Sequence, residues 1–157
     1  MLLPFFEWCE SLWLGQFVVS SLWLFPVIES VHLLGLALLG GSVLLVDFRL
    51  LGLGLKDRAV SELARDARPW MIGALIAMVL TGIPLFLSEP IKCYYSTAFW
   101  IKMTTLPFAV AFAFTVRARV TRAEPVRHTA RLQKLVGALS IALWFTVAAA
   151  GRWIGFS

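Results

Sequence analysis

The sequence has few charged residues. Asp, Glu, Lys and Arg make up 15% of its 157 residues, whereas a typical soluble domain carries about 25%. Hydrophobic residues make up 60%, and the mean hydropathy is +0.84. This composition excludes an ordinary soluble globular domain and predicts an integral membrane protein.

Linkers, repeats and low-complexity tracts are also missing. No Ser-, Gly- or Pro-rich stretch divides the chain, so we expect residues 1–157 to form a single membrane domain. The first residues lack the basic region of a secretory signal and carry Glu7 and Glu10. We therefore expect this segment to remain in the mature protein.

Motifs of soluble-type catalysis are missing as well. Ser42 and Ser140 have no histidine nearby in the predicted geometry, and there is no phosphate-binding glycine loop. No Cys or His pair has the spacing of a metal site, and the four methionines are scattered. The basic residues lie beside hydrophobic runs rather than on a soluble basic face. We therefore expect no nucleic-acid partner despite the net charge of +5.

Four hydrophobic runs are long enough to cross a bilayer, which takes about 20 helical residues. They cover about 26–49, 69–88, 97–117 and 132–152 and predict an all-α bundle of four transmembrane helices. Pro26 and Pro69 stand where a first helical turn tolerates proline. Residues 1–25 are interrupted by Glu7, Glu10, Gly15 and Gln16, so we interpret them as an interfacial or re-entrant helix pair, with a fifth span as the alternative.

The basic residues set the expected orientation. Eleven of the fourteen flank the connections 49–68 and 117–134. The positive-inside rule then places these connections in the cytoplasm and both termini on the periplasmic side of a bacterial inner membrane. The opposite side carries a tryptophan belt made of Trp8, Trp13, Trp23, Trp100 and Trp153.

The two cysteines, Cys9 and Cys93, fall on this outer side. An oxidising compartment would allow a disulfide between them. Two free thiols are the commoner arrangement in an apolar chain, and spacing alone does not decide between the two.

Four ionisable residues lie inside or at the ends of the spans, at one predicted depth. Glu29 and His32 share a face of span 1, and Lys102 and Arg152 enter from spans 3 and 4 within about 10 Å of the outer boundary. Intramembrane ionisable groups are costly and usually face a partner, a cavity or a cofactor. This arrangement is typical of a binding site, although an internal charge network that only stabilises the bundle would look similar.

Glycines follow His32 along span 1. Gly35 lies one turn further on, and Gly40 and Gly41 follow about two turns on. Such a strip suits a flat haem whose iron is ligated by His32, with Lys102 and Arg152 neutralising the propionates. It also suits close helix packing, which is the commoner cause.

The second axial ligand is open. His128 lies in the basic 3–4 connection and is expected to be a surface residue. A five-coordinate haem and a haem shared between two copies both remain.

Asp47 and Arg49 stand at the inner end of span 1. They differ by two positions and point to different sides of the helix. We expect these charges to meet neighbours such as the basic 3–4 connection. A proton or cation path is the alternative.

Three segments carry a resemblance to known proteins: "VHLLGLALLGGSVLLVDFRLLGL", "RPWMIGALIAMVLTGIPLFL" and "FWIKMTTLPFAVAF". Over residues 26–117 the chain resembles a loose group of small bacterial inner-membrane proteins that includes the copper-resistance D domain, the HemJ-type protoporphyrinogen oxidases and uncharacterised families, and overall it looks most like an uncharacterised four-helix family of this group. The resemblance implies b-type haem on His32, an essential basic role for Lys102 and, more weakly, a role for Arg49. The chain departs from the group in lacking further intramembrane histidines, in Glu29 and in its aromatic N-terminal segment.

The sequence therefore predicts an inner-membrane b-type haem protein with an electron-transfer or oxidoreductase role. Its predicted site residues are Glu29, His32, Gly35, Lys102 and Arg152, with His32 as the metal ligand. Expected partners are membrane lipid, quinone or another redox protein, and a second copy in a homodimer. The alternative is a cofactor-free transporter, ion-handling protein or assembly partner.

Overall fold

The computed structural model describes residues 2–54, 57–122 and 130–156. These residues form helices joined by short connections and contain no β-strand. The elements are α1 (Leu3–Glu10), α2 (Trp13–Ser20), α3 (Leu24–Leu51), α4 (Val60–Ser88), α5 (Pro90–Tyr95), α6 (Thr97–Phe112), a π-helical segment (Ala113–Arg117), α7 (Ala118–Arg122) and α8 (Ala130–Ile154).

Four stretches of helix are long and apolar enough to cross a membrane. They are α3, α4, the continuous helix Thr97–Arg122 and α8. The predicted all-α bundle of four spanning helices is confirmed. We call the end that carries the tryptophan belt the aromatic end, and the end that carries Arg49, Arg65, Arg68, Arg117 and Arg122 the basic end.

The helices extend beyond the predicted spans at the basic end. Helix α4 begins at Val60 rather than near residue 69, so Pro69 lies inside the helix and the prediction that it stands in the first turn was wrong. The third span continues to Arg122. Hydropathy marks only the part of a helix that suits lipid, whereas polar helical turns continue past it. Pro26, by contrast, does lie in the first turn of α3.

The four spanning helices do not all pack against one another. Helix α3 packs against α4 on one side and α8 on the other, and α8 packs against α6. Among the described residues α4 and α6 do not pack along each other, and α4 meets the third span mainly through α7. We call this opening the α4–α6 seam. The apolar centre is formed by Leu39, Val43, Met71, Ala74, Ala109, Ala113, Trp144 and Val147.

A second apolar cluster closes the aromatic end, and we call it the aromatic cap. Phe6 of α1, Cys93 of α5 and Phe99 of α6 are its buried members. The Phe6 ring makes edge contacts with those of Phe86 and Tyr94 at centroid distances of 5.6 and 5.2 Å. Burial of these rings attaches the N-terminal segment to the bundle.

The N-terminal segment is a pair of eight-residue helices, α1 and α2. This agrees with the predicted helix pair, and neither helix has the length of a span. Gly15 of α2 lies so close to α4 that an added Cβ would collide with the backbone carbonyl of Leu87. The absence of a side chain at Gly15 therefore sets how closely α2 approaches α4.

A buried ion pair joins α3 to the third span near the basic end. Arg117 Nε donates to Asp47 Oδ1 at 2.6 Å, and the two side chains are 7% and 0% exposed. Arg117 Nη2 also donates to the carbonyl of Val43 at 3.2 Å. The expectation that Asp47 meets the basic 3–4 connection is confirmed, because Arg117 begins that segment. Arg49 instead donates to the carbonyl of Arg58 at 2.9 Å.

Separating the partners of this ion pair should strongly destabilise the fold. Asp47→Leu and Arg117→Met should each lower the free energy of unfolding by about 3–5 kcal/mol, because each leaves an uncompensated buried charge. The double variant should lose less than either single variant. Unfolding in mixed micelles, followed by circular dichroism, measures all three.

The exposed pair of Arg58 and Asp66, at 3.5 Å, is the matched control. Asp66→Asn should cost less than about 1 kcal/mol, because an exposed pair is screened by water. Additive losses in the Asp47/Arg117 double variant would contradict a coupling between the two buried charges.

Filling the contact between α2 and α4 should loosen the N-terminal segment. Gly15→Ala should lower stability by about 1–3 kcal/mol, because the new methyl group meets backbone rather than a side chain that can move. Gly41→Ala is the control, since an added Cβ there has nothing within 4 Å. Thermal unfolding and protease cleavage of residues 2–20 measure the effect, and equal behaviour of the two variants would contradict it.

Candidate functional site

His32 lies on α3, half-buried, with its ring directed at α4. Its Nδ1 is 2.8 Å from Thr81 Oγ1. The Thr81 hydroxyl donates its single proton to the carbonyl of Ala77 at 2.6 Å, one turn back on α4. It must therefore accept a hydrogen from Nδ1 of His32. This assigns the proton of the neutral imidazole to Nδ1 and leaves the lone pair on Nε2.

The ring of His32 also packs against α4. A Cβ added at Gly82 would lie 3.4 Å from Cε1 of His32 and 3.9 Å from its Nδ1. Gly82 thus provides the space that the imidazole occupies, while the neighbouring Thr81 supplies the hydrogen-bond acceptor. Two consecutive residues of α4 fix both the position and the tautomer of the ring.

Lys102 comes from α6 and is half-buried below the aromatic cap. Its Nζ would lie 3.4 Å from a Cβ added at Gly151 of α8, so that glycine makes room for the ammonium group. Lys102 is close enough to His32 and to Cys93 to interact with both electrostatically. Within residues 2–54, 57–122 and 130–156 it has no ion pair or hydrogen-bonded acceptor.

All four spans therefore meet at one level. His32 comes from α3, Gly82 from α4, Lys102 from α6 and Gly151 from α8. The level lies between the aromatic cap and the apolar centre. An imidazole whose neutral form has a free lone pair on Nε2, and a cation without a counter-ion in the described residues, can together hold a metal-bearing or acidic group.

The other predicted site residues lie apart from this pair. Glu29, one turn before His32, is exposed and has no ion pair within the part of the chain that the structure describes. Arg152 is also exposed, and its guanidinium carbon stands 4.7 Å from the ring centroid of Phe156. The structure thus brings together His32 and Lys102, and leaves Glu29 and Arg152 at the surface of the aromatic end.

The predicted glycine strip divides into two faces. Gly35 is buried against α4, where an added Cβ would meet Met78 Cγ at 3.4 Å and Sδ at 3.5 Å. An added Cβ at Gly40 or Gly41 has nothing within 4 Å. Within the described chain, then, the space beside Gly35 accommodates α4, whereas Gly40 and Gly41 face outward.

The sequence analysis missed Thr81, Gly82 and Gly151. One available signal was the pair Thr81–Gly82 inside span 2, since a hydroxyl in a span must find an acceptor and can orient a histidine on a neighbouring helix. The role of Gly151 depends on which face of α8 meets Lys102, which no motif encodes. His128 lies outside the described residues.

The two cysteines are free and buried. The pKa of Cys93 is raised to about 11, mainly by burial and also by the carboxylate of Glu89, while the ammonium groups of Lys102 and Lys92 act in the opposite direction. Burial also raises the pKa of Cys9. Both thiols are therefore protonated at neutral pH. Among the described residues there is no group of three or more His, Cys, Asp and Glu that could hold a metal ion by itself.

The chain belongs to the family of unknown function DUF6644, whose profile matches residues 5–157. No curated protein and no solved structure matches the chain.

The raised pKa of Cys93 should appear in its labelling kinetics. In a Cys9→Ala background, the rate of alkylation by iodoacetamide should rise about tenfold per pH unit from pH 7.5 to 9.5, because only the thiolate reacts and its fraction grows with pH below the pKa. A rate that levels off near pH 9 would contradict the assignment. Glu89→Gln should increase the rate at fixed pH, while Glu62→Gln at the basic end should not.

Proposed function

We propose that the protein is a b-type haem protein of the bacterial inner membrane, with an electron-transfer or oxidoreductase role. His32 would hold the haem iron through Nε2. The observation that carries this proposal is the hydrogen bond between His32 and Thr81. It leaves the lone pair on Nε2, and metal-binding histidines usually donate their other ring N–H in this way.

Lys102 is the second group that fits a haem. A half-buried ammonium without an anionic partner in the described chain is costly, and a propionate would neutralise it. Arg152, exposed at the same end, can reach the second propionate or a lipid headgroup. The two cations thus offer carboxylate partners at the boundary of the membrane.

The room for a macrocycle does not come from Gly35, because Met78 fills that face. The α4–α6 seam offers an alternative. It contains an apolar groove of about 340 Å³ whose lining includes Leu75, Leu80 and Val110. This volume lies in the range of small-molecule pockets. Leu80 directly precedes Thr81, so the groove reaches the height of the histidine along α4, on a different face of that helix.

Each residue of the site has a defined task in this proposal. Thr81 holds the tautomer and the orientation of His32, Gly82 leaves space for the ring, and Lys102 stabilises an anionic substituent. The apolar groove limits access of water, which helps to set a reduction potential. Bound haem would supply one-electron chemistry at its iron.

Several partners follow from this location. The seam opens toward lipid, so quinone can reach it from the bilayer, and another redox protein can reach the aromatic end. A homodimer would cover the seam or the outward-facing Gly40 and Gly41.

The positive-inside rule supports periplasmic termini and a haem near the outer face. The resemblance of residues 26–117 to the group that includes the HemJ-type enzymes would imply the same haem ligand, His32.

An absorption spectrum tests the proposal. Protein purified after expression with added haem precursor should show a Soret band that sharpens and shifts on reduction with dithionite. His32→Ala should remove that band or move it clearly, because the proposed axial nitrogen is lost. His128→Ala, which changes the only other histidine of the chain, should leave the spectrum unchanged.

Lysine variants separate the propionate role from general charge. Lys102→Met should lower haem occupancy, because it removes the ammonium group that is proposed to neutralise a propionate. That ammonium has no other partner in the described chain. Lys92→Met should not lower haem occupancy, since Lys92 is only partly buried and is already paired with Glu89 at 3.5 Å. A well-folded protein that stays colourless after haem supplementation would contradict the proposal and favour the cofactor-free alternative. A spectrum that stays unchanged in His32→Ala would contradict the assignment of His32 as the iron ligand.

A further inference from the structure

A second cavity lies at the basic end, far from His32. It has a volume of about 360 Å³ and is enclosed by the first turns of α4, the π-helical segment and α7. Arg65, Arg68, Arg117 and Arg122 all line it. The proposed haem role makes no use of this cavity. Its lining therefore needs a separate explanation.

The cavity carries excess positive charge. Four arginines line it against a single carboxylate, that of Glu62. Two of the four are already engaged, because Arg117 pairs with Asp47 and Arg65 lies 3.8 Å from Asp66. Arg68 and Arg122 have no carboxylate partner within the residues that the structure describes. Among the described residues, these two guanidinium groups are therefore the ones left to bind an anion.

The first turn of α4 adds to the positive potential. Ser61 and Glu62 of that turn line the cavity, and the N-cap residue Ala59 has no side chain that can cap the helix. The backbone N–H groups of this 29-residue helix therefore present their positive end near the cavity. Glu62 offsets this potential only in part.

The inner wall of the cavity is apolar. Met71 and Ala113 belong to the apolar centre and also line the cavity. The cavity thus offers guanidinium groups together with apolar side chains, at the ends of spanning helices where lipid headgroups lie. Basic pockets between transmembrane helices suit acidic headgroups, and arginine binds phosphate through two parallel hydrogen bonds.

We infer that this cavity binds the phosphate of an anionic phospholipid, held by Arg68 and Arg122. Arg117 forms the inner end of the site. Because its guanidinium group is paired with Asp47, it helps to position the phosphate, whereas Arg68 and Arg122 bind it. A soluble phosphate shares the same chemistry, and the experiment must separate the two sources.

Native mass spectrometry of the detergent-purified protein tests this inference. Phosphatidylglycerol and phosphatidylcholine with identical acyl chains are added at equal concentration, and inorganic phosphate is added alone in a third arm. Phosphatidylglycerol should be retained in preference to phosphatidylcholine. The double variant Arg68→Gln/Arg122→Gln should bind it at least about tenfold more weakly, since it loses the charge-assisted hydrogen bonds of both guanidinium groups.

The matched control is Arg131→Gln/Lys134→Gln. It removes two charges from the same end of the bundle, on α8 and outside the cavity. It should keep the binding of the wild type within about twofold, because charges beyond the cavity are screened by salt. Arg68→Lys/Arg122→Lys keeps the charge without the planar fork and should fall between the two doubles. It also gives the answer if the glutamine double does not fold.

Three results would overturn the inference. The first is equal retention of the two lipids. The second is an equal loss of phosphatidylglycerol in both glutamine doubles, which would indicate general attraction to the basic end. The third is variant-sensitive binding of inorganic phosphate without a preference for phosphatidylglycerol, which would assign the cavity to a soluble ligand.

Discussion

The ion pair between Asp47 and Arg117 sets the register of the bundle. Fifteen residues separate His32 from Asp47, and fifteen separate Lys102 from Arg117. Helices α3 and α6 both run from the aromatic end to the basic end, so pairing at one end brings His32 and Lys102 to the same level about 22 Å away. The position of the candidate site therefore depends on a contact at the opposite end of the bundle.

The ion pair also involves the other two spans. Arg117 lies 3.9 Å from the sulfur of Met71 on α4, and a Cβ added at Gly137 of α8 would stand 3.0 Å from the carbonyl oxygen of Asp47. The second carboxylate oxygen of Asp47 and the hydroxyl of Ser140 are buried without a hydrogen-bond partner in the described residues, although Ser140 is near enough to interact with the carboxylate. Desolvation of the pair costs several kcal/mol, which the short contact between the two charges and the hydrogen bond from Arg117 to the carbonyl of Val43 offset. The π-helical segment, whose turn is wider than that of an α-helix, ends at Arg117. Such segments are frequent at functional sites.

Hydropathy was enough to predict the four spans, and the rise per residue was enough to predict that His32 and Lys102 share a depth. Neither quantity specifies the rotation of a helix about its axis. Gly35 is an example. It shares a face of α3 with His32, and that face packs against α4, which runs back along α3 after a short connection. The space at Gly35 is therefore filled by α4. Thr81 and Gly82 could be recognised only once that contact was known. Hydropathy places Arg65 and Arg68 in the connection 49–68, whereas both lie on the first turns of α4 and line the basic cavity.

The apolar centre bears on the choice between redox chemistry and transport. Leu39, Val43, Trp144 and Val147 fill the space between the two polar ends of the described bundle. An ion or proton crossing the membrane would need a chain of polar groups through this region, and its cost in an apolar medium is high. An electron can pass over such a distance through packed side chains or leave sideways to a membrane-soluble carrier. A packed centre with one polar site at each end of the described bundle is compatible with the proposed haem near one face, whereas a transport path would need polar groups between the two sites.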